Sequence, residues 1–362
     1  MKAIISGGGT GGHIYPAIAM ADAIMAQWPE AEVRFVGASG RMEMEKVPRA
    51  GYPIEGLWIS GFQRKSSLKN LLLPFKVSHS LWRSWQILRS FSPDIAIGVG
   101  GYASGPLLYV ASTLNIPTMI QEQNSFPGIT NRLLGRKVDR ICVAFEDMDR
   151  FFDSEKIVLT GNPVRDLKLP LSERGQAYEH FGLDPDRKTV LVVGGSLGSL
   201  TLNQSMAGSD NRISESDQMQ FIWQIGDLYM DRYGDSETAG LENVCPLRFI
   251  ERMDLAYAAA DLVVCRAGAL TLSELAMCEK AALLVPSPNV AEDHQTKNAM
   301  ALVREGAAEI MRDEECVESM IEKVEKLIAD EDRLQMLSEN ISNWAKPNAT
   351  RDIISVIKRL TT

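Results

Sequence analysis

The stretch Gly7-Gly8-Gly9-Thr10-Gly11-Gly12-His13 joins a run of glycines to an imidazole. It follows a strand-like segment, Ala3-Ile4-Ile5-Ser6, and opens an apolar helical pattern, Ile14 to Ala26. Pro16 stands near the first turn of that pattern, where a missing N–H costs little. Strand, glycine-rich turn and helix together aim backbone N–H groups at a phosphate. Glycines let the backbone approach a bulky anion closely. The spacing is not G-x-G-x-x-G with an acid about twenty residues on, which argues against a dinucleotide fingerprint. A tight turn without a ligand is the competing reading. His13 at the mouth of the loop weighs against it, because an imidazole can act as a base near neutral pH.

Further clusters of the same kind recur. Gly100-Gly101-Tyr102-Ala103-Ser104-Gly105-Pro106 follows the buried strand pattern Asp94 to Val99. Gln121-Glu122-Gln123-Asn124 follows Pro117 to Ile120. For Glu122 and Asn124 the alternative is ordinary capping and turn chemistry. Later, Gly194-Gly195-Ser196-Leu197-Gly198-Ser199 follows the apolar run Thr189 to Val193. Arg266-Ala267-Gly268-Ala269-Leu270-Thr271-Leu272-Ser273-Glu274 follows Asp261 to Cys265. Ligands of open α/β sheets sit beyond the carboxyl ends of the strands, which is where all of these clusters fall.

Strands alternating with helices imply parallel sheets covered on both faces. The pattern runs once through Val33–Gly37, Tyr52–Ile54, Asp139–Val143 and Ile157–Leu159. It starts again near Lys188, through Phe221–Gly226 and Cys245–Ile250, with Ala281–Pro286 as its last clear strand. Helices are expected over 38–50, over Met253–Ala260, from Asp293 and over about Val317 to Leu360, broken by Pro347. At 362 residues two domains are expected. We place the first at 1–160, a linker at 161–166 and the second at 167–345. The last segment, 346–362, should return to the first.

The chain is 45% hydrophobic and 23% charged, which is ordinary for a globular protein. A net charge of −9 argues against a general nucleic-acid binder. Five cysteines are scattered without a C-x-x-C pair, so neither zinc site nor disulfide framework is indicated. The sequence enters a strand at once and has no run of eighteen apolar residues, so we expect neither a signal peptide nor a membrane span. A cytoplasmic location follows as the expectation.

One segment departs from the acidic background. Between Glu55 and Asp94 there is no acidic residue, while Arg64, Lys65, Lys69, Lys76, Arg83 and Arg89 lie among Phe75, Leu81, Trp82, Trp85 and several leucines. Cations beside Trp and Phe suit an interfacial helix on an anionic membrane, over 64–89. The alternative is an amphipathic helix covering the sheet, with Trp82 and Trp85 turned to the core.

The glycine-rich stretches, Glu122-Gln123-Asn124, Gly161-Asn162-Pro163-Val164-Arg165 and Arg266–Glu274 occur together in this order. The ordered set resembles glycosyltransferase family 28 over almost the whole chain. The resemblance implies the GT-B fold, two Rossmann-like doubly wound α/β domains facing across a cleft. It implies inverting transfer of N-acetylglucosamine from UDP-GlcNAc to the C4 hydroxyl of MurNAc in lipid I, the undecaprenyl-pyrophosphoryl-MurNAc-pentapeptide, giving lipid II. By the same resemblance the second half holds the donor. Ser196 would bond its diphosphate, Glu274 its ribose, Ile250 its uracil and Arg165 would lie near the nucleotide. Ala269, Leu270, Thr271, Leu272 and Ser273 would line the pocket, and Gln295 would bond the sugar. Thr10, Gly11, Gly12 and Asn124 would reach the donor from the first half. Gly9, Tyr102 and Ser104 would lie on the acceptor side. His13 is the first candidate base and Glu122 the second. No metal and no cofactor are expected. The membrane surface is an expected partner, and so are cell-wall synthesis and division proteins, with the enzyme peripheral on the cytoplasmic face of the inner membrane. A relative of the same fold acting on another acceptor, a UDP-GlcNAc epimerase and a membrane-docked scaffold are the competing readings.

Overall fold

The computed structural model describes residues 1–60, 72–165, 167–195 and 197–362. The expected basic positions Arg64, Lys65 and Lys69, and the expected diphosphate contact Ser196, lie outside the described residues.

The chain divides into two units, Met1–Val164 with Lys346–Thr362, and Arg165–Ala345. The first contains β1 (Lys2–Gly7), α1 (Gly11–Gln27), β2 (Glu32–Ala38), α2 (Glu43–Arg49), β3 (Ile54–Leu57), α3 (Leu73–Phe91), β4 (Ile95–Gly100), α4 (Ser104–Thr113), β5 (Thr118–Glu122), α5 (Ile129–Leu134), β6 (Arg140–Val143) and β7 (Ile157–Leu159). All strands pair in parallel, in the order β3-β2-β1-β4-β5-β6-β7. Parallel strands buried on both faces need near-continuous apolar runs. Ile4, Ile5, Ile95, Ile97, Met119 and Ile120 supply them and are fully buried.

The second unit contains α6 (Arg174–Phe181), β8 (Lys188–Val193), α7 (Leu200–Ala207), α8 (Asp210–Ser214), β9 (Met219–Gln224), α9 (Met230–Tyr233), β10 (Val244–Leu247), α10 (Met253–Ala259), β11 (Leu262–Cys265), α11 (Ala269–Met277), β12 (Ala282–Leu284), α12 (His294–Arg304), β13 (Glu309–Ile310), α13 (Asp313–Ile328) and α14 (Glu331–Ser342). Its sheet runs β10-β9-β8-β11-β12-β13, again parallel. The two-residue β13 is too short to show a periodic pattern. The strand expected over Cys245–Ile250 ends at Leu247, which puts Ile250 in the following turn.

The last helix, α15 (Ala349–Thr361), packs on the first unit. Its apolar face, Ile353, Val356 and Ile357, joins the core formed by Ile14, Ala17 and Met20 of α1. Each such side chain contributes about 1.5–3 kcal/mol by burial, which fixes a segment remote in sequence. Pro16 lies in the second turn of α1, so its missing N–H leaves the Gly12 carbonyl without a helical donor, at a residue exposed to water.

Candidate functional site

In the first unit β1 and β4 are neighbours, yet the chain proceeds from β1 toward β3 and from β4 toward β7. That reversal opens the crevice where open α/β sheets bind ligands. The turn after β1 and the turn after β4 meet there, backbone on backbone. A Cβ on Gly101 (φ +89°) would lie 2.5 Å from the Gly8 oxygen, so neither position admits a side chain cheaply.

His13 stands in the first turn of α1 and lays its ring on Gly100, where a Cβ would come within 2.8 Å of Nε2. Its Nδ1 lies 3.1 Å from the Gly8 carbonyl oxygen and 3.3 Å from Thr10 Oγ1. A carbonyl oxygen only accepts, so the hydrogen of this pair belongs to Nδ1. Gly9, Thr10, Gly11 and Gly12 form the rest of the loop, with Gly9, Thr10 and Gly12 exposed. Tyr102 is exposed at the tip of the opposing turn. Ser104 is buried, and its hydroxyl donates 2.8 Å to the Ser6 oxygen, pinning α4 to β1.

The loop rests on a residue with no local signal. Glu43, fully buried, accepts from Gly9 N–H at 2.9 Å through Oε2 and from Ala38 N–H at 3.0 Å through Oε1. A Cβ on Gly8 would overlap this carboxylate. In sequence it is one acid in the first turn of a polar helix, where an acid is usual.

Glu122, at the end of β5, is also buried. Its Oε1 accepts from Asn124 N–H at 3.0 Å and from Asn124 Nδ2 at 3.1 Å, and its Oε2 accepts from Asn131 Nδ2 at 2.8 Å. The Gly128 N–H also bonds this carboxylate. Burial pushes the Glu122 carboxyl above its ordinary value, partly countered by these N–H donors. So held, Glu122 closes the 122–131 loop and positions Asn124. Beside it Gln121 donates to Asn162 Oδ1 at 2.9 Å, and Asn162 donates to the Gln123 oxygen at 3.2 Å. Residues 161–164 are thus packed into the first unit.

In the second unit the reversal lies between β8 and β11. The turn after β8 packs on the turn after β9, and a Cβ on Gly198 (φ +83°) would strike the Ile225 oxygen. Ser199 caps α7, accepting from Leu202 N–H at 3.4 Å. Gln224 donates to the Gly195 oxygen at 3.1 Å. Arg266 ties these parts together: it donates to Ser199 Oγ at 2.6 Å, to the Val285 oxygen at 3.0 Å, and pairs with Asp313 of α13.

The Ala269-to-Glu274 stretch begins α11 directly after β11. Its first N–H groups leave the helix end at the sheet's carboxyl edge, a natural anion site. Ala269 and Leu272 are buried, while Leu270, Thr271 and Ser273 are half-buried. Glu274 is half-buried and accepts from the buried Tyr257 hydroxyl at 3.1 Å. Burial raises its carboxyl above the ordinary value, opposed by the Tyr257 hydrogen bond and by the charge of Arg165. Ile250 is buried. Gln295, in the first turn of α12, accepts from Ser287 N–H at 2.8 Å and so braces the loop after β12.

The outer face of α3 carries Trp82 and Trp85, which the alternative reading turned to the core. Ser80, Ser84, Ile87, Leu88 and Phe91 turn inward. Trp82 and Trp85 are 55% and 45% exposed, and Trp58 and Phe75 are exposed as well. Lys76 lies over the Trp58 ring and Arg89 over that of Trp85. Among the described residues no helix is long and apolar enough to cross a membrane, and no group of three or more His, Cys, Asp or Glu gathers as a metal site would.

Comparison with known proteins bears on these sites. Residues 3–143 match the glycosyltransferase family 28 N-terminal domain and residues 189–356 its C-terminal domain. A UDP-N-acetylglucosamine--N-acetylmuramyl-(pentapeptide) pyrophosphoryl-undecaprenol N-acetylglucosamine transferase of Christiangramia forsetii is 50% identical over 361 residues, 99% of this chain and 98% of the relative. The enzyme of the same name from Flavobacterium psychrophilum is 50% identical, over 99% of this chain and 97% of its own. The crystal structure of Acinetobacter baumannii MurG superposes with a TM-score of 0.78 at 28% identity, covering 99% of both chains. A Neisseria meningitidis UDP-GlcNAc 2-epimerase bound to UDP-GlcNAc, 15% identical with a TM-score of 0.66 over 99% of this chain and 100% of its own, shares the fold alone.

Proposed function

The chain belongs to glycosyltransferase family 28, and on that premise we propose which of its residues perform the reaction. It transfers N-acetylglucosamine from UDP-GlcNAc to undecaprenyl-pyrophosphoryl-MurNAc-pentapeptide, forming lipid II in peptidoglycan synthesis. The observation that carries this is the 50% identity to the Christiangramia forsetii transferase across 99% of the chain.

The acceptor C4 hydroxyl attacks the anomeric carbon of the donor with inversion, which needs a base for the hydroxyl proton and a stabilised diphosphate leaving group. We assign the base to His13. It sits at the strand-reversal crevice, and its Nδ1–H bond to Gly8 leaves Nε2 as the basic nitrogen of the neutral ring. The Glu122 carboxylate already accepts four N–H bonds, so its part is to hold Asn124 for the donor sugar. Gly9, Tyr102 and Ser104 shape the acceptor side, and Thr10, Gly11 and Gly12 border the donor. The second unit takes the nucleotide. The helix start at Ala269–Ser273, Ser196 and Arg165 meet the diphosphate, Glu274 the ribose, Ile250 the uracil and Gln295 the sugar. Helix N-termini stabilise the charge that grows on departing UDP.

The exposed aromatic and cationic face of α3 supports docking at the anionic cytoplasmic face of the inner membrane, where the lipid acceptor resides. Incubation with UDP-GlcNAc and a short-chain lipid I analogue should release UDP only when the acceptor is present. His13→Gln should lower kcat by about 100-fold or more. Acceptor-independent UDP release, or unchanged turnover of the variant, refutes the corresponding assignment.

A further inference from the structure

The peptide group between Gly8 and Gly9 has hydrogen-bond partners at both ends. Its N–H, on Gly9, donates 2.9 Å to Glu43 Oε2, and its C=O, on Gly8, lies 3.1 Å from His13 Nδ1. We propose that Glu43 is a positioning residue for catalysis, acting on His13 through this single amide. The inference rests on His13 being the base.

The link has direct physical content. Both Glu43 oxygens accept backbone N–H groups, the arrangement of an ionised carboxylate. A negative charge on the N–H side polarises the amide and makes the Gly8 oxygen a stronger acceptor. That oxygen then holds the His13 Nδ1–H tautomer, directs Nε2 away from the loop, and stabilises the imidazolium that forms when the acceptor proton arrives. A carboxylate touching the imidazole would do the same; here one peptide group stands between them. The packing is built for it, because side chains at Gly8 and Gly37 would collide with Glu43. Besides His13, the titratable and charged groups on the elements around the ring are Tyr15 and Asp22 on α1, Arg41 before α2, Glu43, Glu45, Lys46 and Arg49 on α2, Tyr102 after β4 and Glu122 at the end of β5. Glu43 is the one whose hydrogen-bonded route to Nδ1 is traced by these distances.

The test reads His13 itself, by NMR of the full chain with the ring resonance assigned through His13→Gln. In the wild type the neutral ring should carry its proton on Nδ1; the Nε2–H tautomer would overturn the proposal. In Glu43→Gln, which keeps the shape and loses the charge, the His13 pKa should fall by about half a unit or more. His79 and His180 should not move. The acidic limb of the kcat/KM profile should shift the same way, with kcat lower by about tenfold. An unmoved His13 in a folded Glu43→Gln chain refutes the relay, even if activity drops. Should Glu43→Gln not fold, Glu43→Asp takes its place: a carboxylate drawn back by one methylene must still lower the His13 pKa, and no shift counts against us. The base assignment is separated by His13→Gln. If that variant keeps its turnover while the NMR shifts appear, the coupling of Glu43 to His13 stands, but its part in catalysis falls with the base reading.

Discussion

Replacing Glu274 by Gln tests the donor half most sharply. The carboxylate is half-buried in the second turn of α11 and accepts from Tyr257 at 3.1 Å. One of its oxygens is thereby braced, and the remaining acceptor positions suit the two ribose hydroxyls. Hydrogen bonds to a charged acceptor are worth about 1.5–3 kcal/mol each. The amide keeps one acceptor oxygen and turns an NH2 toward the other hydroxyl, so the net loss should be about 2–3 kcal/mol. That corresponds to a rise of about 30- to 150-fold in the UDP dissociation constant and in the donor KM. Calorimetric titration with UDP and the acceptor-dependent UDP-release assay read both. The pH dependence adds a second check. The carboxyl titrates above its ordinary value, so as pH falls toward that raised value it protonates and accepts less well. Donor KM should therefore rise on the acidic side in the wild type and stay flat in Glu274→Gln. Stability runs the other way: a raised carboxylate pKa means the folded chain prefers the neutral form, so ionisation costs stability at high pH. The neutral isostere should melt no lower than the wild type at pH 8. A change in UDP affinity below threefold in a chain with unchanged melting would sink the ribose assignment.

Three further outcomes are expected. Gly198→Ala forces a side chain at φ +83° against the Ile225 oxygen, so it should destabilise the second unit by about 2–4 kcal/mol; a melting temperature within one degree of wild type would contradict the backbone contact. Arg266→Met takes the guanidinium away from Asp313, which keeps its Thr201 hydrogen bond, and from Ser199 Oγ, and should cost about 2–4 kcal/mol, read by urea unfolding; a loss under 1 kcal/mol, or none of it recovered in the double variant with Asp313→Asn, argues that the clamp is idle. Trp82→Glu with Lys76→Glu should weaken binding to anionic vesicles at least tenfold, since each cation alone adds about 1 kcal/mol, and leave UDP affinity intact; unchanged vesicle sedimentation retires the α3 face as a membrane surface.

What the residues decided by themselves was local. Apolar runs such as Thr189–Val193, followed by Gly-Gly turns and helix starts, announce βα units because strand period and turn chemistry are properties of neighbouring residues. His13, Tyr102, Glu122 and Glu274 could be picked out because each sits at the end of such a run. The partners that give these groups their roles were not legible. Glu43 reaches Gly9 across 34 positions, Arg266 reaches Asp313 across 47, and Gln121 reaches Asn162 across 41. The order of strands in each sheet sets those meetings, and it puts β1 beside β4 and β8 beside β11 although other strands intervene in the chain. Glu122 reads in sequence as an available acid; burial and four N–H donors, from Asn124, Gly128 and Asn131, make it a brace. Trp82 and Trp85 read equally well as core or surface, because a helix on a sheet has room for one apolar face only, and packing gave that face to Ile87, Leu88 and Phe91.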